Sequence, residues 1–179
     1  FSYLCELKID GLKVVLEYER GFLKMATTRG DGKIGEDVTE NIKRIESVPL
    51  RLNEGVHIIV EGEIWIGKKN LVRLNEIQKE QGEQVFANPR NIAAGSIRQL
   101  DPNIVAERRL ETFIYDIAYY EKAFPSTQKD ELELIKKLGF RVNPHFEYCK
   151  DIKEVIQYWK EWQRKAQKED YLVDGAVIK

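Results

Sequence analysis

The stretch Leu4-Cys5-Glu6-Leu7-Lys8-Ile9-Asp10-Gly11 organises the rest of the chain. Side chains alternate between the two faces of a strand, which gives this stretch one apolar face and one face with three charges. The apolar face holds Cys5, Leu7 and Ile9, and the opposite face holds Leu4 followed by Glu6, Lys8 and Asp10. One interpretation is a solvated outer face, because charged side chains are mostly exposed. The alternative is a lysine nucleophile between two carboxylates on the floor of a cleft.

Length and charge set the limits for any function. The 179 residues suit one domain with a sizeable core, and the net charge is -1. A protein that grips duplex DNA by itself usually carries a basic surplus, so any DNA contact here must come from local patches or from parts outside the chain. We find no apolar run of membrane-spanning length and no secretory segment, and we therefore expect a cytoplasmic protein without membrane contact.

The cysteines and histidines indicate neither a metal site nor a disulfide. Cys5 and Cys149 are far apart in sequence, and His57 and His145 are isolated. We expect free thiols in a reducing compartment. The start at Phe1 and the stop inside an apolar run lead us to expect a fragment of a longer protein.

Hydrophobic patterns predict an α+β fold with antiparallel sheets and flanking helices. Residues 12–18 and 22–28 form a β-hairpin, followed by a glycine-rich loop over 28–37 that is either a phosphate cradle or a plain connection. Further strands are predicted at 57–66, 109–119 and 173–179, and Phe113, Tyr115 and Ile117 are expected on one face. Predicted helices follow Val38, span 68–82, and begin near Thr127 and Asp151.

The segment 86–101 has an unusual composition. Pro89 suits a helix start, and Arg90 and Arg98 lie eight residues apart, so both can face one side of a helix. The small residues between them allow close packing on a sheet or on a ligand. A close-packed helix with two surface arginines explains the same residues equally well.

Together these segments resemble a known family. Lys8-Ile9-Asp10-Gly11 is similar to the nucleophile motif of covalent nucleotidyltransferases, which include DNA ligases, RNA ligases and capping enzymes. Three further blocks, at 28–41, 86–101 and 174–179, resemble the adenylation domain of bacterial NAD-dependent DNA ligases in order and spacing. The resemblance implies the ligase adenylation fold over residues 1–179, as one domain of a longer multidomain ligase.

The resemblance also implies a reaction. Lys8 would take AMP from NAD⁺ and release nicotinamide mononucleotide. AMP would pass to the 5′-phosphate of nicked duplex DNA, and the strand would be sealed during replication and repair. Mg²⁺ or Mn²⁺ would assist, zinc would belong only to a zinc-finger domain outside the chain, and the protein would be a monomer. The alternatives are an ATP-using RNA ligase or capping-type enzyme and a non-catalytic adenylate-binding module.

Site residues follow from the resemblance one position at a time. The implied catalytic residues are Lys8, Asp10 and Lys179. Glu6 would bind the adenine amino group, Glu63 the ribose, and Tyr115 and Val177 the two faces of adenine. The implied nucleotide contacts also include Lys8, Ile9, Arg29 and Lys179. Arg90 and Arg98 would contact phosphate or nucleic acid, and Asp174 would bind the metal.

The chain departs from the family pattern at a few positions. The family commonly has arginine where Glu61 stands and alanine where Ile92 stands, and Arg164 is the nearest candidate for another basic residue of the family. These departures affect the expected DNA contacts. Strict alternation would also put Asp174 and Lys179 on opposite faces, so we expect either a bend at Gly175 or only one of the two in the pocket.

Overall fold

Two antiparallel sheets with flanking helices form the protein. The structure is a computed structural model and describes residues 2–28 and 35–179. In chain order its strands are β1 (Tyr3–Ile9), β2 (Leu12–Glu19), β3 (Phe22–Thr28), β4 (Ile58–Trp65), β5 (Glu111–Tyr120), β6 (Glu147–Cys149) and β7 (Val173–Ile178). The sheets have the strand orders β6-β1-β7 and β3-β2-β4-β5. The α+β prediction is confirmed.

Helices cover the sheets. They are α1 (Thr39–Ile42), α2 (Lys68–Glu80), α3 (Pro89–Ile97), α4 (Pro102–Arg108), α5 (Gln128–Leu138) and α6 (Ile152–Lys165), and a short 3₁₀ helix follows at Ala166–Lys168. The predicted caps are present, since the side chains of Thr127 and Asp151 accept hydrogen bonds from backbone N–H groups of the first turns of α5 and α6. None of the helices in the described ranges is long and apolar enough to cross a membrane.

Two hydrophobic cores lie on opposite sides of β1. The larger contains Leu4, the inward residues of β2 and the apolar stripe of α5. The smaller contains Cys5, Leu7 and Ile9, against which Val155 and Tyr158 of α6 pack. The alternation predicted for β1 is therefore confirmed, and both faces of the strand that carries Lys8 are anchored near its start.

The sequence interpretation missed two elements. Helix α4 begins with Pro102 after the cap Asp101, a recognisable start signal, whereas β6 is only three residues long.

A β-bulge in β5 corrects one prediction. Ile114 pairs with Gly62 and Asp116 pairs with Glu61, so the register shifts by one residue and Tyr115 is the extra residue of the bulge. Ile117 consequently turns into the larger core beside Ile114, and the expectation that it shares a face with Tyr115 is wrong.

A second bulge lies in β7. Lys8 pairs with Gly175 and Ile9 pairs with Val173, which leaves Asp174 as the extra residue. The irregularity expected near Gly175 is thus present one residue earlier. A bulge changes the direction of a side chain, so Asp174 is released from strict alternation.

Candidate active site

A cavity of about 550 Å³ lies where the two sheets and α3 meet. Nine residues of the predicted site line it: Glu6, Lys8, Ile9, Glu63, Arg90, Arg98, Tyr115, Val177 and Lys179. Asp10 and Asp174 lie outside this lining but contact residues within it. Arg29 lies outside the residues that the structure describes.

Antiparallel pairing of β1 and β7 brings the two lysines from opposite ends of the chain together. Lys8 stands opposite Gly175, and the backbones of Leu4 and Lys179 exchange two hydrogen bonds of 2.9 and 3.0 Å. Leu4, Lys8 and Lys179 therefore belong to one face of the sheet. Both lysine side chains reach the same cavity.

Lys8 forms an ion pair with Asp174. Its Nζ lies 2.6 Å from Asp174 Oδ2, a contact that the bulge in β7 makes possible. Both side chains are substantially exposed. A lysine must lose a proton before it can act as a nucleophile, so an attacking Lys8 has to exchange this contact for one with its substrate.

Lys179 lies among several acceptors. Its Nζ is 3.0 Å from Asp116 Oδ1, 3.3 Å from the Tyr115 carbonyl oxygen and 3.6 Å from Glu6 Oε1. The same ammonium lies 5.9 Å from the centre of the Tyr115 ring, within the range of a cation–π interaction. These contacts hold a positive charge between the Tyr115 side of the cavity and β1.

Glu6 presents a buried acceptor to the cavity. The residue is 8% exposed, and apart from the ion pair with Lys179 Nζ at 3.6 Å its Oε1 has no hydrogen-bond partner among the described residues. Burial raises the pKa of this carboxyl, and the neighbouring Lys179 opposes the rise. An unsatisfied buried oxygen costs free energy, so a ligand that donates an N–H here would be bound favourably.

Glu63 lies on the Lys8 side of the cavity. Burial raises its pKa to about 7, against the opposing effect of Arg90 and Lys8. The Gly11 N–H donates to this carboxylate. A Cβ atom at Gly11 would lie 2.2 Å from the Ile64 carbonyl oxygen, so the glycine of the Lys8 to Gly11 motif is needed for the close approach to β4.

Helix α3 places both arginines at the cavity, as their spacing predicted. The Asn88 side chain caps the helix, and Ile92 and Ile97 bury its opposite side in the larger core. Arg90 lies 3.8 Å from Asp10, and Arg98 donates to Glu36 at 2.7 Å. Asp10 is a distant partner of Arg90, and Glu36, the partner of Arg98, is exposed. Both guanidinium groups can therefore exchange these partners for the phosphates of a polyanion.

The sequence interpretation missed Lys13 and Asp116. Lys13 lines the cavity and donates to Glu61 at 2.5 Å from the neighbouring strand. Glu61 stands where the family commonly has arginine, and Lys13 lies beside it. This departure from the family pattern was the signal in the sequence that could have pointed to Lys13. Asp116 had no comparable signal, because its position depends on the β5 bulge. Arg164 is not among the residues that line the cavity.

Possible metal ligands occur in two places. Asp10 and Asp174 offer carboxylate oxygens next to the cavity, the donor type that Mg²⁺ prefers. Elsewhere in the described ranges, Glu17, Glu19 and His57 bring three ligand atoms within 4.8 Å of one another. Lys24 already forms ion pairs with both of these glutamates, so one ammonium offsets part of the negative charge of that group.

Comparison with known proteins gives a consistent result. The family model for the NAD-dependent DNA ligase adenylation domain matches residues 1–179. Proteins called DNA ligase from Bacillus thuringiensis (strain Al Hakam) and Bacillus cereus (strain B4264) are 51% identical over 177 residues, which cover 99% of this chain and 26% of each relative. The chain thus spans about a quarter of the length of these curated relatives.

Solved structures show the same fold at low sequence identity. The ligase domain of M. tuberculosis LigD aligns with a TM-score of 0.58 at 15% identity, covering 99% of this chain and 48% of that one. A mycobacterial DNA ligase D complexed with ATP and MES aligns with a TM-score of 0.57 at 15% identity, with the same coverage of the two chains.

Proposed function

The chain belongs to the NAD-dependent DNA ligase adenylation domain family, and on that premise we propose that it transfers AMP from NAD⁺ to Lys8. The observation that carries this proposal is the shared cavity of Lys8 and Lys179, with the buried Glu6 carboxylate beside them, 3.6 Å from Lys179 Nζ. Residues 1–179 would be the adenylation domain of a longer, monomeric bacterial ligase in the cytoplasm.

Lys8 would act as the nucleophile. Its deprotonated amine attacks the α-phosphorus of the adenylyl half of NAD⁺, forming a P–N bond, while the P–O bond to nicotinamide mononucleotide breaks and the leaving phosphate keeps the electron pair. The product is a lysine phosphoramidate of AMP. Splitting a difficult transfer through such a covalent intermediate makes two easier steps.

The other cavity residues would position the nucleotide. Glu6 Oε1 accepts a hydrogen bond from the adenine amino group, and Tyr115 and Val177 enclose the ring, an arrangement that suits an aromatic side chain. Glu63 lies where a ribose hydroxyl could reach it. Lys179 would neutralise the charge that builds up on the α-phosphate oxygens, which is the largest contribution expected from a preorganised site.

Sealing would use the same cavity from the DNA side. The 5′-phosphate at a nick attacks the adenylate phosphorus and releases Lys8, and the neighbouring 3′-hydroxyl then displaces AMP to form the phosphodiester. Arg90 and Arg98 would bind the DNA phosphates with their planar guanidinium groups. Asp174, with Asp10 nearby, would hold a divalent cation, which supplies charge neutralisation at the phosphates when bound.

The test is covalent labelling of a full-length ligase that carries this chain. Incubation with NAD⁺ and Mg²⁺ should add one AMP, which peptide mass spectrometry locates at Lys8, and Lys8→Ala should lose at least about 10⁴-fold in labelling rate. ATP and GTP are the parallel arms. Labelling from ATP alone would favour the ATP-using alternative, and absence of any adenylate, or an adenylate that survives Lys8→Ala, would refute the proposal.

A further inference from the structure

We propose that Asp116 is a positioning residue that fixes the ammonium of Lys179 for its contact with the adenylate phosphate. The inference rests on the proposed function of the cavity and adds a residue that acts through Lys179. Asp116 lines the cavity, and its Oδ1 lies 3.0 Å from Lys179 Nζ. Asp116 Oδ1 lies closer to that ammonium than the Tyr115 carbonyl oxygen or Glu6 Oε1 does.

The bulge in β5 creates this contact. Because Tyr115 is an extra residue, Tyr115 and Asp116 both border the cavity although they are neighbours in a strand. This segment therefore contacts the Lys179 ammonium through three groups: the Tyr115 ring, the Tyr115 carbonyl oxygen and the Asp116 carboxylate. Bulges commonly redirect side chains next to active sites, and this one brings an anion to Lys179.

Glu131 supports Asp116 from the protein interior. Glu131 lies in the first turn of α5, is 7% exposed, and accepts a hydrogen bond from the Ile117 N–H. Burial raises the pKa of its carboxyl, and the neighbouring Asp116 carboxylate raises it further. The Glu131 bond to the Ile117 N–H fixes the backbone directly after Asp116, which holds the Asp116 carboxylate beside Lys179.

Positioning has a specific expected effect. A lysine side chain has four rotatable bonds, so without its partner Lys179 would sample several directions and meet the phosphate less often. Displacements of about 1 Å in such groups can cost up to roughly 100-fold in rate. We expect Asp116→Asn to lower the rate of Lys8 adenylation at saturating NAD⁺ by about tenfold, and to change the KM for NAD⁺ less than the rate.

A double-mutant cycle in a full-length ligase tests whether Asp116 acts through Lys179. Adenylation rates are measured for the wild type, Asp116→Asn, Lys179→Met and the double variant. Asp116→Asn should cost about tenfold in the wild type and nearly nothing once Lys179 is methionine. Where the Lys179 variants label too slowly to time, the same cycle is measured on the equilibrium affinity for AMP.

Glu111→Gln is the matched control. Glu111 lies in the same strand and pairs with Arg141 at 2.6 Å, but it does not line the cavity, so its loss should leave the rate unchanged. An equal loss from Asp116→Asn in both backgrounds, or no loss in the wild type, would overturn the positioning role. Wild-type labelling at Lys8 would still stand in either case, so the two proposals fail separately.

Discussion

The two lysines of the cavity each pair with an aspartate, and the two pairs differ in their surroundings. Lys8 and Asp174 are 53% and 40% exposed and lie 2.6 Å apart. Lys179 and Asp116 are 29% and 39% exposed, and Lys179 also has Glu6, whose side chain is 11% exposed, within 3.6 Å. Both aspartates stand at or next to a bulge and are about equally exposed, so the pairs differ in their lysines: Lys8 belongs to an open pair, and Lys179 is the enclosed member of the other, which we call the enclosed pair.

The difference suits the two roles proposed for the lysines. A nucleophile has to leave its partner, form a bond to phosphorus and later release it, so an exposed and weakly held contact suits Lys8. A group that stabilises charge is most effective when it is already in place, so several acceptors in a partly buried setting suit Lys179. Mobility is useful at the first position and harmful at the second.

Among the variants that test the difference between the two pairs, the largest effect should come from removing the enclosed charge. Lys179→Met keeps the length of the side chain but leaves the phosphate charge uncompensated, and loss of one such group typically costs about 10²- to 10³-fold. We expect the single-turnover rate of Lys8 adenylation in a full-length ligase to fall by about 10²-fold.

A control variant makes that result decisive. Lys43→Met is the control, because Lys43 pairs with Glu40 on the surface away from the cavity. A Lys179→Met enzyme that labels Lys8 at the wild-type rate would show that the enclosed lysine has no part in the chemistry.

Several features of the cavity could be predicted from the sequence. Alternation in β1 correctly separated Lys8 from Cys5, and the spacing of Arg90 and Arg98 correctly put both on one side of α3. Such patterns depend only on the repeat of a strand or helix. Predictions from these patterns therefore hold in the folded protein whichever elements pack together.

The contact of Asp116 with Lys179 could not be predicted in this way. A bulge shifts the register by one residue, which moved Ile117 into the core and brought Asp116 to Lys179. Its position depends on pairing between β4 and β5, and that pairing is not encoded in any single strand. Long-range register was therefore the missing information, and the role of Asp116 could emerge only from the structure.

A smaller effect concerns pH, and it tests how buried the Lys8 side of the cavity is. Burial raises the pKa of Glu63 to about 7, so the folded protein binds this proton more tightly than the unfolded chain does. The contribution of the neutral carboxyl is complete below the unfolded value near 4.5 and is lost as the pH rises through about 7. Glu63→Gln cannot ionise and should escape this loss.

Calorimetry of a full-length ligase can measure this difference, because AMP identifies the transition that belongs to the adenylation domain. The stability of Glu63→Gln relative to the wild type should rise between about pH 4.5 and pH 7 and level off above that range, by on the order of 1 kcal/mol once partial solvent exposure is allowed for. Glu61→Gln is the neighbouring control on β4. A relative stability that does not change with pH would mean that Glu63 is well solvated.

The smallest effect should come from breaking the open pair. Asp174→Asn removes the charge that faces Lys8, yet exposed ion pairs contribute only about 0 to 1 kcal/mol, so we expect a change in unfolding free energy below about 0.5 kcal/mol. Salt at about 1 M should reduce even this change, since the screening length of about 3 Å is then similar to the separation of the pair. Asp116→Asn should cost more and depend less on salt, because Lys179 is the less exposed lysine. Thermal unfolding of both variants at low and high salt compares the pairs directly, and equal, equally salt-sensitive losses would show that the enclosure of Lys179 has no energetic consequence.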